Sequence, residues 1–311
     1  MISVESLHKE FGRRVALDEV SFTVPKGEIF GFVGPNGAGK TTTIRILATL
    51  SSADAGDATV AGIPVAEDPG EVRNLIGYMP DFFGVYDRLT STEYLEFYAA
   101  CHGVARRKRP AVARELLELV DLSDRRDVQV DTLSRGMKQR LGLARALVHD
   151  PAVLLLDEPA SGLDPRARIE MKELIRELRR MGKTILISSH ILPELEELCT
   201  WVGFIDNGRM AAAGPMAEVR DAVVSGRRLR VELADAGEEE MARAEVILRE
   251  HEGVLDVERL PDHLEVTVGP QVVDDDLLAL LVERKLRVRS FAVIPGDLSE
   301  VFMRLTKDQM N

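Results

Sequence analysis

The sequence predicts an α/β fold followed by a smaller α+β domain. Three observations carry this reading. Residues 27–33 read as a short buried strand that passes through a glycine-rich loop, 34–39, into a helix over 41–50, the opening of an α/β unit. Short apolar runs at 152–156 and 184–188 recur between helix-length segments, as parallel strands buried on both faces do. From about residue 228 the pattern changes to strand, helix, strand, strand, helix, strand, an order that suggests a ferredoxin-like domain.

The elements follow in order. Apolar Ile44, Leu47 and Ala48 give the first helix its buried stripe, and the polar turn 51–56 ends it. Residues near 58–65 and 75–79 read as strands. From 90 to about 149 the pattern is mainly helical, with 115–120 on one helix and 136–148 on another. The run 152–156 is a central parallel strand, 166–181 a charged amphipathic helix, and 184–188 and 201–205 two further strands, the last ending at the turn Asp206-Asn207-Gly208. The second domain reads as strands at 228–233, 254–259, 264–268 and 288–294, with helices at 238–251 and 275–285. A final helix over 298–306 has Asp297 as its cap and Glu300 three residues on. The linker falls at 224–226, which divides the chain into 1–224 and 225–311.

Composition narrows the function. The chain has 311 residues, 45% of them hydrophobic, enough for a full core, and only 5% aromatic, so aliphatic packing dominates. With 40 basic against 52 acidic residues the formal charge is −12, which opposes non-specific nucleic-acid binding. The two cysteines, Cys101 and Cys199, lack metal-ligand spacing and read as reduced, mostly buried thiols of a cytosolic protein. No run approaches the roughly 18–20 apolar residues of a membrane span, and the N-terminus lacks the pattern of a signal peptide. A membrane role is therefore expected through a partner.

Two segments carry chemistry. Gly34-Pro35-Asn36-Gly37-Ala38-Gly39-Lys40-Thr41 matches G-x-x-x-x-G-K-[ST], with a strand before it and a helix after. Glycines let backbone N–H groups curl toward phosphate oxygens, and the following helix points its positive end at the same anion. Lys40 is expected on the β- and γ-phosphates of ATP and Thr41 on Mg²⁺, with Thr42 beside them. The second segment is the apolar strand that ends in Asp157-Glu158. Ligands of open α/β sheets bind at the carboxyl ends of strands, so both acids belong to the nucleotide crevice. Asp157 is assigned to Mg²⁺. Glu158 is assigned to polarising the attacking water, on the expectation that adjacent residues face different ways.

Between these segments lies Leu133-Ser134-Arg135-Gly136-Met137-Lys138-Gln139-Arg140, which resembles the Leu-Ser-Gly-Gly-Gln signature of ABC ATPases. Ser161-Gly162-Leu163-Asp164 looks like that family's D-loop, His190 like its switch histidine, and Asp81 stands at the Q-loop position. Phe11 stands where the family stacks an aromatic on adenine, and could equally be a core residue. The resemblance covers residues 2 to about 220. It implies a P-loop NTPase fold of the ABC type, a RecA-like core with antiparallel β and α-helical subdomains. It also implies a head-to-tail dimer in which Ser134, Gly136 and Asp164 face the other subunit's ATP, and an integral membrane permease subunit as partner. Direct nucleic-acid contact is not expected. The implied location is cytoplasmic, peripheral on the cytoplasmic face of the membrane.

Two departures from the family stand out. Asp81 replaces the usual glutamine, either as a metal contact or as a turn acid after Pro80, and Arg135 and Met137 replace glycine and glutamine. The aromatics of 82–86 are expected to border the groove for a coupling helix. The segment 298–305 looks like that of exporters of the drug and multidrug branch, so export of drugs, antibiotics or lipophilic compounds is the leading expectation. The second domain is expected to be regulatory or dimer-supporting, or else a packing appendage. The alternative function is a soluble ABC ATPase that remodels a nucleic-acid or ribosomal complex.

Overall fold

The computed structural model describes residues 1–81, 84, 88–223, 227–234, 237–269 and 271–294, without the side chains of 221–223 and 227. The chain divides into two compact units, Met1–Met216 and Ala217–Asn311. The expected linker at 224–226, most of the aromatic segment and the last helix lie outside the described residues.

The first unit opens with β1 (Ile2–Phe11), β2 (Arg14–Val24), β3 (Ile29–Val33) and α1 (Lys40–Leu47). It continues through β4 (Ala55–Val60), β5 (Ile63–Pro64), α2 (Pro69–Leu75) and β6 (Ile76–Met79). Three helices follow, α3 (Ser91–Cys101), α4 (Arg109–Leu119) and α5 (Arg135–Ala146). The unit ends with β7 (Val153–Asp157), α6 (Pro165–Arg180), β8 (Thr184–Ser189), α7 (Leu192–Leu198), β9 (Trp201–Asp206) and β10 (Arg209–Pro215).

These strands form two sheets. The antiparallel one has the order β2-β1-β4-β5, and the larger one β10-β9-β3-β8-β7-β6, parallel except for β10. Every residue of β3, β7 and β8 is buried, as expected of strands covered on both faces. One core of Ile2, Leu17, Phe22, Phe30, Ile44, Leu155 and Leu186 joins residues from both sheets and α1. A separate cluster around Tyr94, Leu95, Leu117 and Leu141 holds α3, α4 and α5 together. Asp68 and Thr90 cap α2 and α3, the latter in a full capping box with Glu93.

The element that positions the chemistry is the order β3-β8-β7. Val33 is level with Ser189, and Ser188 with Asp157, so the three chain exits at Gly34, Glu158 and His190 emerge side by side. The cysteine expectation holds for Cys199, which is buried, and is corrected for Cys101, which ends α3 on its exposed face. The buried apolar residues of α3 are Tyr94, Leu95 and Ala99, which leaves Cys101 off the buried stripe.

After α8 (Met216–Val223), the second unit comprises β11 (Arg227–Leu233), α9 (Glu238–Arg249), β12 (Val254–Arg259), β13 (Leu264–Val268), α10 (Asp274–Glu283) and β14 (Val288–Ile294). Its sheet runs β12-β13-β11-β14, antiparallel throughout, the ferredoxin-like order. Leu229, Val231, Leu264 and Val266 from the strands pack on Met241, Leu248, Leu277 and Leu281 from the two helices.

Candidate nucleotide site

The loop after β3 wraps the start of α1. Gly37 and Gly39 have φ of 84° and 116°, which only glycine adopts without strain. At Gly39 a Cβ would lie 2.7 Å from Leu17 Cδ2 and 2.9 Å from the Ala16 carbonyl. α1 has no side-chain cap and no acidic residue in its first turn, so its positive end stays open to an anion.

A cleft of about 580 Å³ lies at this loop. It is lined by Phe11, Arg14 and Ala16, by Pro35, Asn36, Gly37, Gly39, Lys40, Thr41 and Thr42, and by Asp81, Glu158, Ser161 and His190. Four separate exits of the sheet, after β3, β6, β7 and β8, and the β1–β2 hairpin thus meet at one surface. Gly34 and Ala38 stand behind it: the Gly34 carbonyl accepts from Lys40 Nζ at 2.6 Å, and Ala38 is buried.

The Lys40 side chain is 6% exposed and also donates to the Pro35 carbonyl at 3.2 Å. Its ammonium lies 3.8 Å from Glu158 Oε1. Desolvation pulls the Lys40 pKa below its ordinary value, and the carboxylates of Glu158 and Asp157 oppose that pull. The lysine is a cation held on neutral carbonyls in a desolvated place, so an incoming phosphate would meet it with little competing water.

Asp157 is buried at the end of β7, where its Oδ1 accepts from Ser188 Oγ at 2.6 Å and from Thr41 Oγ1 at 3.3 Å. Glu158 lines the cleft, whereas Asp157 does not. Its φ of 52° is left-handed, a conformation that costs a non-glycine residue about 1–3 kcal/mol. Two bonds hold it there, from its own N–H to Ser188 Oγ at 3.0 Å and to the Ser188 carbonyl at 3.2 Å. The turn swings Glu158 into the cleft, where Oε2 lies 2.8 Å from His190 Nδ1. A carboxylate can only accept, so Nδ1 carries a proton in this contact, on a half-exposed ring.

The remaining predicted residues are placed as follows. Phe11 is 55% exposed at the cleft rather than in the core, with Lys9 Nζ 5.4 Å from its ring centre. Asp81 lines the cleft and its backbone carbonyl accepts from Gln139 Nε2 at 3.5 Å. Ser134 caps α5 through Met137 N, and Asp164 caps α6 through Ala167 N. Neither they nor Gly136 line the cleft of their own chain. Two residues escaped the sequence reading. Arg14, in the exposed Arg13-Arg14 pair of the β1–β2 hairpin, reaches the Gly37 carbonyl at 3.5 Å. Ser188, which reads as an ordinary strand-end serine, contacts both acids.

A desolvated lysine in a glycine cradle, two acids and a histidine define a nucleotide-binding cassette of the P-loop class. The comparisons sharpen this. Residues 17–161 match the ABC transporter family, and 214–306 match the C-terminal domain of DrrA1-3-like ATP-binding proteins. The linearmycin resistance ATP-binding protein LnrL of Bacillus subtilis is 31% identical over 98% of both chains. The daunorubicin resistance ATP-binding protein DrrA2 of Streptomyces coeruleorubidus is 37% identical over 98% of this chain and 94% of its own. The Nod factor export ATP-binding protein I of Burkholderia orbicola is 34% identical over 99% and 98%. A solved ATP-binding subunit of an ABC transporter superposes with a TM-score of 0.65 at 31% identity, over 71% of this chain and 92% of that one. A dimeric cassette bound to ADP and phosphate has the same fold at 24% identity, with a TM-score of 0.64 over 70% and 99%.

The chain belongs to the ATP-binding subunits of ABC transporters, with a DrrA-like C-terminal domain. It is an ATPase of that family, which binds ATP and powers a membrane transporter. Among the described residues no helix is long and apolar enough to cross a membrane.

Proposed function

We propose that this chain hydrolyses Mg-ATP to drive export of drugs, antibiotics or other lipophilic compounds through a separately encoded integral membrane subunit. The observation that carries the catalytic half is the Lys40–Glu158–His190 cluster in the P-loop cleft. The export half is supported by the names of the relatives that match along the whole chain.

In this reading the N–H groups of the loop 34–39 and Lys40 hold the β- and γ-phosphates, with Thr42 beside them, while Phe11 stacks on the adenine. Glu158 accepts a proton from the attacking water, and His190 holds the carboxylate in place and senses the γ-phosphate. The donor set of Thr41 Oγ1 and Asp157 Oδ1, 3.3 Å apart, is hard oxygen and suits Mg²⁺, with Asp81 as a further oxygen. Mg²⁺ held by these oxygens would neutralise charge that develops on the phosphates. Ser134, Gly136 and Asp164 act on the ATP of a second, head-to-tail subunit, which fits their absence from their own cleft. Residues 1–224 form the catalytic domain, 225–311 an accessory and regulatory one. The working location is the cytoplasmic face of the membrane, held there by the partner.

The test is ATP-driven accumulation of daunorubicin in inverted vesicles that carry this chain and its native membrane partner. Uptake that needs ATP is expected. Glu158→Gln should abolish it and lower ATP turnover by about 100-fold or more while ATP binding persists. ATP turnover without uptake of any lipophilic probe would refute the export half, and unchanged turnover in Glu158→Gln would refute the catalytic half.

A further inference from the structure

We propose that Arg168 and Glu194 are positioning residues that tie the loop 161–164 to the His190–Glu158 pair. The inference rests on the catalytic reading above and adds two residues that the motifs do not include.

The loop 161–164 leads into α6, and His190 leads into α7. Arg168 sits in the first turns of α6. Its Nε donates to the Leu163 carbonyl at 3.0 Å, and its Nη1 lies 3.4 Å from Glu194 Oε1. Glu194 is the third residue of α7, four residues beyond His190. One guanidinium thus holds the end of the loop with one edge and the start of the histidine's helix with the other. Ile191 N bonds Ser189 Oγ at 3.0 Å, which makes the turn between His190 and α7 short and stiff.

The Glu194 side chain is 15% exposed, against Pro159, Ala160, Met171 and Leu195. Desolvation raises its pKa, and Glu158 adds to that rise, whereas Arg168, Lys172 and His190 counter it. A carboxylate in such a place is costly without its cation, so the Arg168 pair is not an idle surface bridge.

Simple adhesion of α6 to α7 does not need this pair. Lys172 and Arg176 follow Arg168 at four-residue spacing on the same face of α6. Lys172 Nζ meets Glu197 Oε2 at 2.5 Å, and Arg176 Nη2 donates to the Glu197 carbonyl at 3.1 Å. These contacts hold the far ends of the helices. Of these three contacts, Arg168–Glu194 is the one nearest His190 in sequence, where a shift of the loop 161–164 would be passed to His190 and so to Glu158.

A double-mutant cycle on the full-length chain tests this. Arg168→Gln and Glu194→Gln should each lower kcat for ATP hydrolysis by about tenfold, the worth of one charged hydrogen bond, with KM for ATP within about twofold. The double variant should be no worse than the worse single one, because both break the same link. Lys172→Gln should leave kcat unchanged, and Arg168→Lys, which keeps the charge but not the fork, should fall between wild type and Arg168→Gln. Thermal melts and ATP binding by each variant separate a folding loss from a catalytic one. Unchanged kcat in both single variants, strictly additive losses, or a rise in KM alone would overturn the proposal. Each of these is read beside Glu158→Gln. If that variant keeps full turnover, the catalytic reading has failed instead.

Discussion

Glu158 concentrates the chemistry at the residue scale. Its left-handed backbone is held by two bonds to Ser188, and it carries the carboxylate to both Lys40 and His190. Strand alternation alone does not foresee this, since the period of two stops where the strand ends at Asp157. The phosphate loop was legible because its glycines and lysine are adjacent in sequence. Ser188 and Arg14 were not, because a serine and an arginine acquire meaning only from what the sheet and hairpin bring near them. Phe11 supports a sharper expectation. Its ring stands exposed at the cleft mouth, so Phe11→Ala should raise KM for ATP by about threefold to tenfold through lost stacking. Steady-state kinetics with kcat unchanged would confirm it, and an unchanged KM would show that adenine sits elsewhere.

At the scale of elements, α5 and the residues just after it serve the open edge of β6. Three side chains reach carbonyls of β6 and of Asp81 just beyond it: His149 Nε2 to Ile76 at 2.9 Å, Arg145 Nη2 to Tyr78 at 3.4 Å, and Gln139 Nε2 to Asp81 at 3.5 Å. Among the described residues β6 is the last strand of its sheet, and an edge strand presents carbonyls that need partners. His149 also stacks flat on His102, with centroids 3.9 Å apart, and its Nδ1 is buried with no hydrogen-bond partner among the described residues. Desolvation pushes the His149 pKa down to about 4, and repulsion from His102 adds to this, with Lys183 acting the same way and Asp150 against it. The unfolded chain, with histidine near 6.5, takes up a proton that the folded chain refuses. Stability from this group is therefore complete above pH 6.5 and falls as the pH drops toward 4. Melting temperatures should decline between pH 7 and pH 5, and His149→Gln, whose amide can still donate to Ile76, should flatten that decline. An equally steep decline in the variant would assign it to other groups.

The whole molecule repeats the contrast between local and distant signals. The parallel sheet and the ferredoxin-like order were legible because their strands are short, apolar and bounded by turns. The β1–β2 hairpin was not, because register shifts between Val4 and Leu7, Leu7 and Lys9, and Lys9 and Glu10 break the alternation a strand would show. β10 was missed for another reason: its Ala211-Ala212-Ala213 stretch carries little strand propensity. The signature segment was read through resemblance, and its geometry explains its separation. Ser134 and Asp164 are caps at the starts of α5 and α6, away from the cleft of the same chain. In the proposed head-to-tail pair, these helix starts would face the cleft of the other copy.

Mixing two inactive variants tests that central claim most directly. Ser134→Arg should block the signature end and Glu158→Gln the catalytic base, each alone giving almost no ATP turnover. In a mixed pair, one cleft keeps its own Glu158 and faces the intact Ser134 of the other copy. Turnover in the mixture should rise well above the sum of the two separate variants. A mixture no more active than that sum, with dimers present, would show that the site is completed within a single chain.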